Sequence, residues 1–172
     1  GIPTEQPPED ARVDALNVMA ADEALAAFQR CCGSQRWAAR MTAARPFRSW
    51  TQLHGLAEWI WWQLDDADWR EAFTHHPPIG ADPEQLRARF GSTADWSGDE
   101  QAGVSGASDA TIAALAEANI AYRDRFGYIF IVCASGLSAD EMLTQLRVRL
   151  PHPAENEIRI AAGEQAKITA LR

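Results

Sequence analysis

Apolar residues recur at three- and four-residue spacing through most of this chain, and that period selects helices over strands. From Ala20 to Cys32 the apolar positions are Ala24, Leu25, Phe28 and Cys32, and Gly33 stops the run. A second segment, Ser34 to Ala44, is closed by Arg45-Pro46. Ser49 caps a third, in which Leu53, Leu56, Ile60 and Leu64 recur at helical spacing. Trp59, Trp61 and Trp62 widen that stripe, so this helix is expected to be buried over much of its surface. From Phe73 to Pro83 the chain reads as loop. Pro83 to Phe90 is a short helix with Pro in its first turn, ended by Gly91. Ser108 opens another, with Ile112, Leu115, Asn119, Ile120 and Phe126 on one side. Phe130-Ile131-Val132-Cys133 reads as a helix end or an extended, buried connector, because a single strand would lack a partner. Ser138-Ala139-Asp140-Glu141 has the pattern of a capping box and opens a helix to Leu150. Pro151 and Pro153 break it, and the last helix runs from about Ala154 to Leu171. The expectation is an all-α fold, a single compact domain of about eight helices over residues 13–172, behind a flexible segment at 1–12 rich in Pro, Glu and Gln.

A chain of 172 residues with a formal net charge of −8 is large enough for one core and too acidic to suit nucleic acid, since no Lys/Arg cluster follows a helix face. If the substrate is an anion, a few placed arginines must overcome that field locally. No apolar run approaches the roughly 20 residues that span a bilayer, so no membrane partner is expected. Cys31, Cys32 and Cys133 are odd in number, two of them adjacent, and no signal-peptide pattern precedes them. Free thiols in a reducing cytoplasm are the expectation, with the adjacent pair used in packing. His54, His75, His76 and His152 form no H-E-x-x-H, and no C-x-x-C occurs, which leaves no zinc pattern. Phosphate-cradling glycine loops, the G-x-S-x-G elbow and the dinucleotide fingerprint are missing too. The one lysine, Lys167, sits beside Ile168 on the last helix and faces away from its apolar stripe. An enzyme built from these residues works without a metal or nucleotide cofactor.

Three places can carry chemistry, and each has a plainer reading. His76 precedes Pro77 and Pro78, so it is held extended on a stiff loop, which suits a general acid or base near neutral pH. On the residues alone, a loop histidine with no role is the reading to prefer. On a helix, Ser97, Glu100 and Gln101 fall at i, i+3 and i+4 and point one way, but S-x-x-E is also a capping box. Arg172 continues the stripe Ile158, Ala161, Gln165, Ile168 on the last helix, and is either frayed into solvent or aimed into a pocket.

Taken in order, these segments resemble the OHCU decarboxylase family, whose substrate is 2-oxo-4-hydroxy-4-carboxy-5-ureidoimidazoline. The resemblance covers about Asn17 to Arg172. It runs through Trp37-Ala38, Arg45-Pro46-Phe47, His76-Pro77-Pro78-Ile79-Gly80 and Ser97-x-x-Glu100-Gln101-Ala102-Gly103. It continues in Asn119-x-x-Tyr122-x-x-Arg125-Phe126-Gly127-x-x-Phe130 and ends in Lys167-Ile168-Thr169-Ala170-Leu171-Arg172. Pro78 stands where the family commonly has Arg after His-Pro, and relatives usually continue past the position of Arg172. The resemblance implies an all-α homodimer with no metal or organic cofactor. It also implies a catalytic set of His76, Glu100 and Arg172, with Pro77, Ser97, Gln101, Phe130 and Val132 lining the substrate pocket.

The implied reaction suits those groups. The substrate carbon that loses CO2 bears a hydroxyl and neighbours a C=N, so the ring itself accepts the electrons and needs no added sink. Arg172 can grip an anionic group, and His76 and Glu100 can orient the ring and move a proton in the step that yields (S)-allantoin. The division of labour between those two is not legible in the residues. The alternative from another class is a non-catalytic helical module that binds a purine-like ligand or a protein partner. Retention of both His76 and Glu100 argues against it.

Overall fold

A computed structural model of the chain describes residues 9–77, 80–90 and 108–172. These form nine helices and, among the described residues, no strand. They are α1 (Glu9–Val18), α2 (Ala21–Cys31), α3 (Gln35–Ala43), α4 (Trp50–Trp62), α5 (Asp66–Phe73), α6 (Pro83–Phe90), α7 (Asp109–Phe126), α8 (Ala139–Arg149) and α9 (Ala154–Ala170). The all-α class expected from the periodicity holds. No described helix is long and apolar enough to cross a membrane.

The described chain gathers into two compact units, residues 9–75 with 166–172, and the described residues between 76 and 165. Helix α9 contributes 154–165 to the second and 166–170 to the first. In the first unit α3 is the hub, packing against α2, α4 and α5, while α1 lies on α4. Trp37, Ala38 and Met41 are its buried face. The Trp37 indole N–H donates to the Ala57 carbonyl at 3.0 Å, and Phe28 packs edge-on to both Trp37 and Phe47. Ser34, itself fully buried, caps α3 by accepting from the Trp37 amide. Arg45 fans its guanidinium onto the carbonyls of Leu16, Met19 and Thr42, satisfying acceptors left open around the ends of α1 and α3. Asn17 exchanges two 2.8 Å hydrogen bonds with the Phe47 backbone beyond the cis Arg45-Pro46 peptide.

Four local expectations change. Residues 9–12 are helical instead of belonging to a flexible tail, and Glu9 places a carboxylate at the positive end of α1. The segment after Leu64 forms α5, opened by a reciprocal capping box between Asp65 and Asp68, a D-x-x-D pattern not used as a start signal. The tryptophans of α4 do not share a face. Positions 59 and 61 are about 200° apart on a helix, so Trp61 is buried while Trp59 is 63% exposed. Trp62 lies at the margin, edge-on to Trp69. The same geometry turns Ile120 outward on α7, where Ala116 and Tyr122 complete the buried stripe.

In the second unit α7 packs against α6 and α8. Gly127 ends α7 in the left-handed conformation that a side chain resists, with its amide donating to the Arg123 carbonyl. The chain then runs without regular structure to Ser138, the cap of α8.

Candidate active site

His76 lies just past α5, half-buried, at the start of the loop that leads to α6. Its Nε2 is 2.5 Å from Oε1 of Gln165, a side chain only 1% exposed on α9. An amide oxygen can only accept, so in this contact the ring donates through Nε2. The far end of the same loop is pinned as well. A Cβ added to Gly80 would come within 2.5–2.8 Å of the Asn119 carboxamide, so any other residue there would have to displace that side chain. Asn119 is held in turn by donating to the Leu115 carbonyl at 2.9 Å. This explains the glycine of His-Pro-Pro-Ile-Gly and the asparagine of Asn-x-x-Tyr together. One is the slot and the other is what fills it.

The connector Phe130–Cys133 has no regular structure; Ile131 is buried, while Phe130, Val132 and Cys133 are half-buried. Arg149, at the end of α8, fixes it. Its Nη1 donates to the Ile131 carbonyl at 2.7 Å, and its guanidinium lies 4.5 Å from the centre of the Phe130 ring. The charge is met by Glu157 of α9, fully buried, whose Oε1 accepts from Arg149 Nε at 2.6 Å and from the Tyr122 hydroxyl at 2.7 Å. His152 Nδ1 stands 3.0 Å from the other carboxylate oxygen. Burial pushes the Tyr122 phenol far above its ordinary range, with its hydrogen bond to Glu157 acting the same way and the Arg149 charge opposing. Cys133 is tied separately, its amide donating to Glu164 Oε1 at 3.3 Å. Glu164 and Gln165 are neighbours on α9. A single turn of that helix therefore holds both the connector and His76.

Of the expected site residues, His76, Pro77, Phe130 and Val132 lie in this second unit. Pro77 is exposed beside His76. Ser97, Glu100, Gln101 and Pro78 lie outside the described residues. Arg172 belongs to the first unit, exposed just beyond the end of α9, with its carbonyl accepting from Arg12 at 3.5 Å. Its positive charge reaches Cys31 and Cys32, and opposes the burial that raises both thiols. All three cysteines are free.

Two features were missed from the sequence. Gln165 was visible only as a polar residue on an apolar stripe, which is a real if weak signal for a buried amide with a task. The Arg149–Glu157–Tyr122 cluster had no local pattern, because its members come from three helices.

Comparison with known proteins follows the same residues. The family model for OHCU decarboxylase matches residues 17–172. The uric acid degradation bifunctional protein TTL of Arabidopsis thaliana is 39% identical over 145 residues, covering 83% of this chain and 44% of that protein. The chain thus spans less than half the length of that relative. A crystal structure of OHCU decarboxylase in the presence of (S)-allantoin aligns with a TM-score of 0.66 at 38% identity, over 85% of this chain and 93% of the other. A crystal structure of (S)-allantoin synthase aligns with a TM-score of 0.67 at 18% identity, over 91% of this chain and 50% of the other, which is a likeness of fold alone. With the match running from Asn17 through the pinned His76 loop and the Phe130 connector to Arg172, this chain belongs to the OHCU decarboxylase family.

Proposed function

We propose that this protein decarboxylates 2-oxo-4-hydroxy-4-carboxy-5-ureidoimidazoline to (S)-allantoin in urate breakdown, with no cofactor. The observation that carries the reading is the pairing on α9, where adjacent residues hold His76 and the backbone of the Phe130–Cys133 connector. A histidine placed by a buried amide, with a connector tied to the same turn of α9, is what a small ring-shaped substrate needs for orientation.

In the proposed step the bond from the ring carbon to its carboxylate breaks and CO2 leaves. The electron pair forms a double bond to the neighbouring carbon as that carbon's C=N accepts electrons onto nitrogen. That nitrogen takes up a proton, and the hydroxyl-bearing carbon becomes a carbonyl by releasing its hydroxyl proton as another is delivered to its neighbour from one face, which sets the configuration. His76 handles a proton, Glu100 hydrogen-bonds the ring, and Arg172 grips an anionic group. Pro77, Ser97, Gln101, Phe130 and Val132 line the pocket. The enzyme works as a homodimer in the cytoplasm.

The test generates the transient substrate from urate with the two preceding enzymes and follows its decay and the handedness of the allantoin formed. His76→Ala and His76→Asn should fold normally and lose at least about a hundredfold in rate, since a placed acid–base group contributes 10²–10⁴. Variants within tenfold of wild type would remove His76 from the mechanism. Wild-type protein that leaves the decay and its stereochemistry unchanged would favour a non-catalytic binding module.

A further inference from the structure

We infer that Gln165 is the positioning residue of this site: its side-chain carbonyl selects the tautomer of His76 and so makes Nδ1 the nitrogen that moves the proton. The inference rests on the proposed catalytic role of His76 and adds what selects its reactive atom.

Three observations support it. Gln165 is 1% exposed, which is a costly place for a carboxamide unless its polar atoms are used. Its Oε1 lies at hydrogen-bonding distance from His76 Nε2, on a residue 89 positions away in sequence. The neighbouring Glu164 holds the Cys133 amide, so rotation or fraying of this turn of α9 would displace both partners together. The loop that carries His76 is anchored at its other end by Gly80 against Asn119, which leaves the imidazole little freedom except to turn about its own bonds. A hydrogen bond to one ring nitrogen removes that freedom too.

The chemistry of the partner matters. A carboxylate in this position would also fix the ring, but its charge would stabilise the imidazolium and raise the pKa. An amide oxygen accepts from N–H in both protonation states and adds no charge. His76 therefore presents one defined lone pair without a neighbouring charge from this partner. Such an arrangement lets the ring accept a proton at Nδ1 and return it from there, with Nε2–H never leaving its acceptor.

The test separates tautomer from turnover. In wild-type protein labelled with 15N-histidine, the ring shifts of His76 should report the Nε2–H tautomer at neutral pH. In Gln165→Met, which keeps the volume and removes the acceptor, that preference should fall towards the free-histidine mixture. Turnover should fall about tenfold to a hundredfold with KM changed less than threefold. Gln165→Glu should restore the tautomer and move the acidic limb of the pH–rate profile upward by about one unit, recovering rate above that limb where Gln165→Met does not. If Gln165→Met proves poorly folded by circular dichroism, the wild-type spectrum and Gln165→Glu decide the matter alone. An Nδ1–H tautomer in wild type, or an unmoved limb in Gln165→Glu, would overturn the inference. Should His76→Asn retain full activity while the spectra behave as expected, Gln165 still sets the tautomer but the catalytic reading of His76 fails.

Discussion

Arg149 and Glu157 show how much a single buried charge depends on its neighbours. The guanidinium serves four groups at once: the Glu157 carboxylate, the Ile131 carbonyl, the Tyr122 hydroxyl and the Phe130 ring. Arg149→Met therefore leaves a carboxylate inside the protein without its counter-charge, a change that costs about 3–5 kcal/mol when a buried pair is broken from one side. Urea unfolding should show that loss. Arg149→Met combined with Glu157→Leu should recover part of it, because removing both charges removes the desolvation problem. The single variant should also raise KM, since the connector loses the contact at Ile131 that holds Phe130 and Val132 in place. An unfolding free energy within about 0.5 kcal/mol of wild type would mean that the contact with His152, 3.0 Å from Glu157, is enough to hold the carboxylate.

At the scale of elements, caps set where the helices begin, and two serines illustrate different stakes. Ser34 caps α3 from a fully buried position, so Ser34→Ala strands the Trp37 amide away from water. The expected cost is near the upper end for a lost cap, about 2 kcal/mol, measured as a fall in the unfolding free energy. A neutral result would mean that solvent reaches the start of α3. The S-x-x-E pattern at Ser97 and Glu100 poses a sharper choice. If Glu100 is only a cap partner, Glu100→Gln keeps its helix and its activity, because Gln also serves in a capping box. If it holds the substrate, Glu100→Gln should lose at least about tenfold in turnover with its melting temperature within 2–3 °C of wild type. An active variant that merely melts lower would settle for the cap.

Stability of the whole molecule should carry a thiol signature. Cys32 is buried where α2 ends, accepting help from the Thr169 hydroxyl, and burial pushes its thiol up to about 11 from an ordinary 9.0. The folded protein therefore binds this proton more tightly than the unfolded chain does. That contribution is fully present below pH 9 and is lost as the pH rises from 9 through 11. A rise of that size corresponds to a few kcal/mol. Denaturant titrations from pH 8 to 11 should show wild type losing stability faster than Cys32→Ala. The decline above pH 10 that comes from the raised Tyr122 phenol is common to both proteins, so the difference isolates Cys32. Parallel curves would place the thiol in contact with water.

Periodicity, caps and breakers are local properties, and they were enough to establish the all-α class and most helix boundaries of this chain. Ser34, Ser49, Ser108 and Ser138 each cap the helix that their sequence context announced. That Phe130–Cys133 is a connector and not a strand was legible because an isolated apolar run has no sheet to join. The motif residues identified the family, since their order and separation are themselves sequence. What only the tertiary structure decided was which partner each polar group meets. Trp59 and Trp61 look equivalent in composition, but a 200° rotation buries one and exposes the other. Gly80 leaves room for Asn119, 39 positions on. Tyr122, Arg149 and Glu157 carry no shared pattern, and His76 gives no hint that Gln165 will be its acceptor. A helix is written in neighbours three and four residues apart, whereas a buried hydrogen bond joins whichever side chains the packing of separate helices brings within 3 Å.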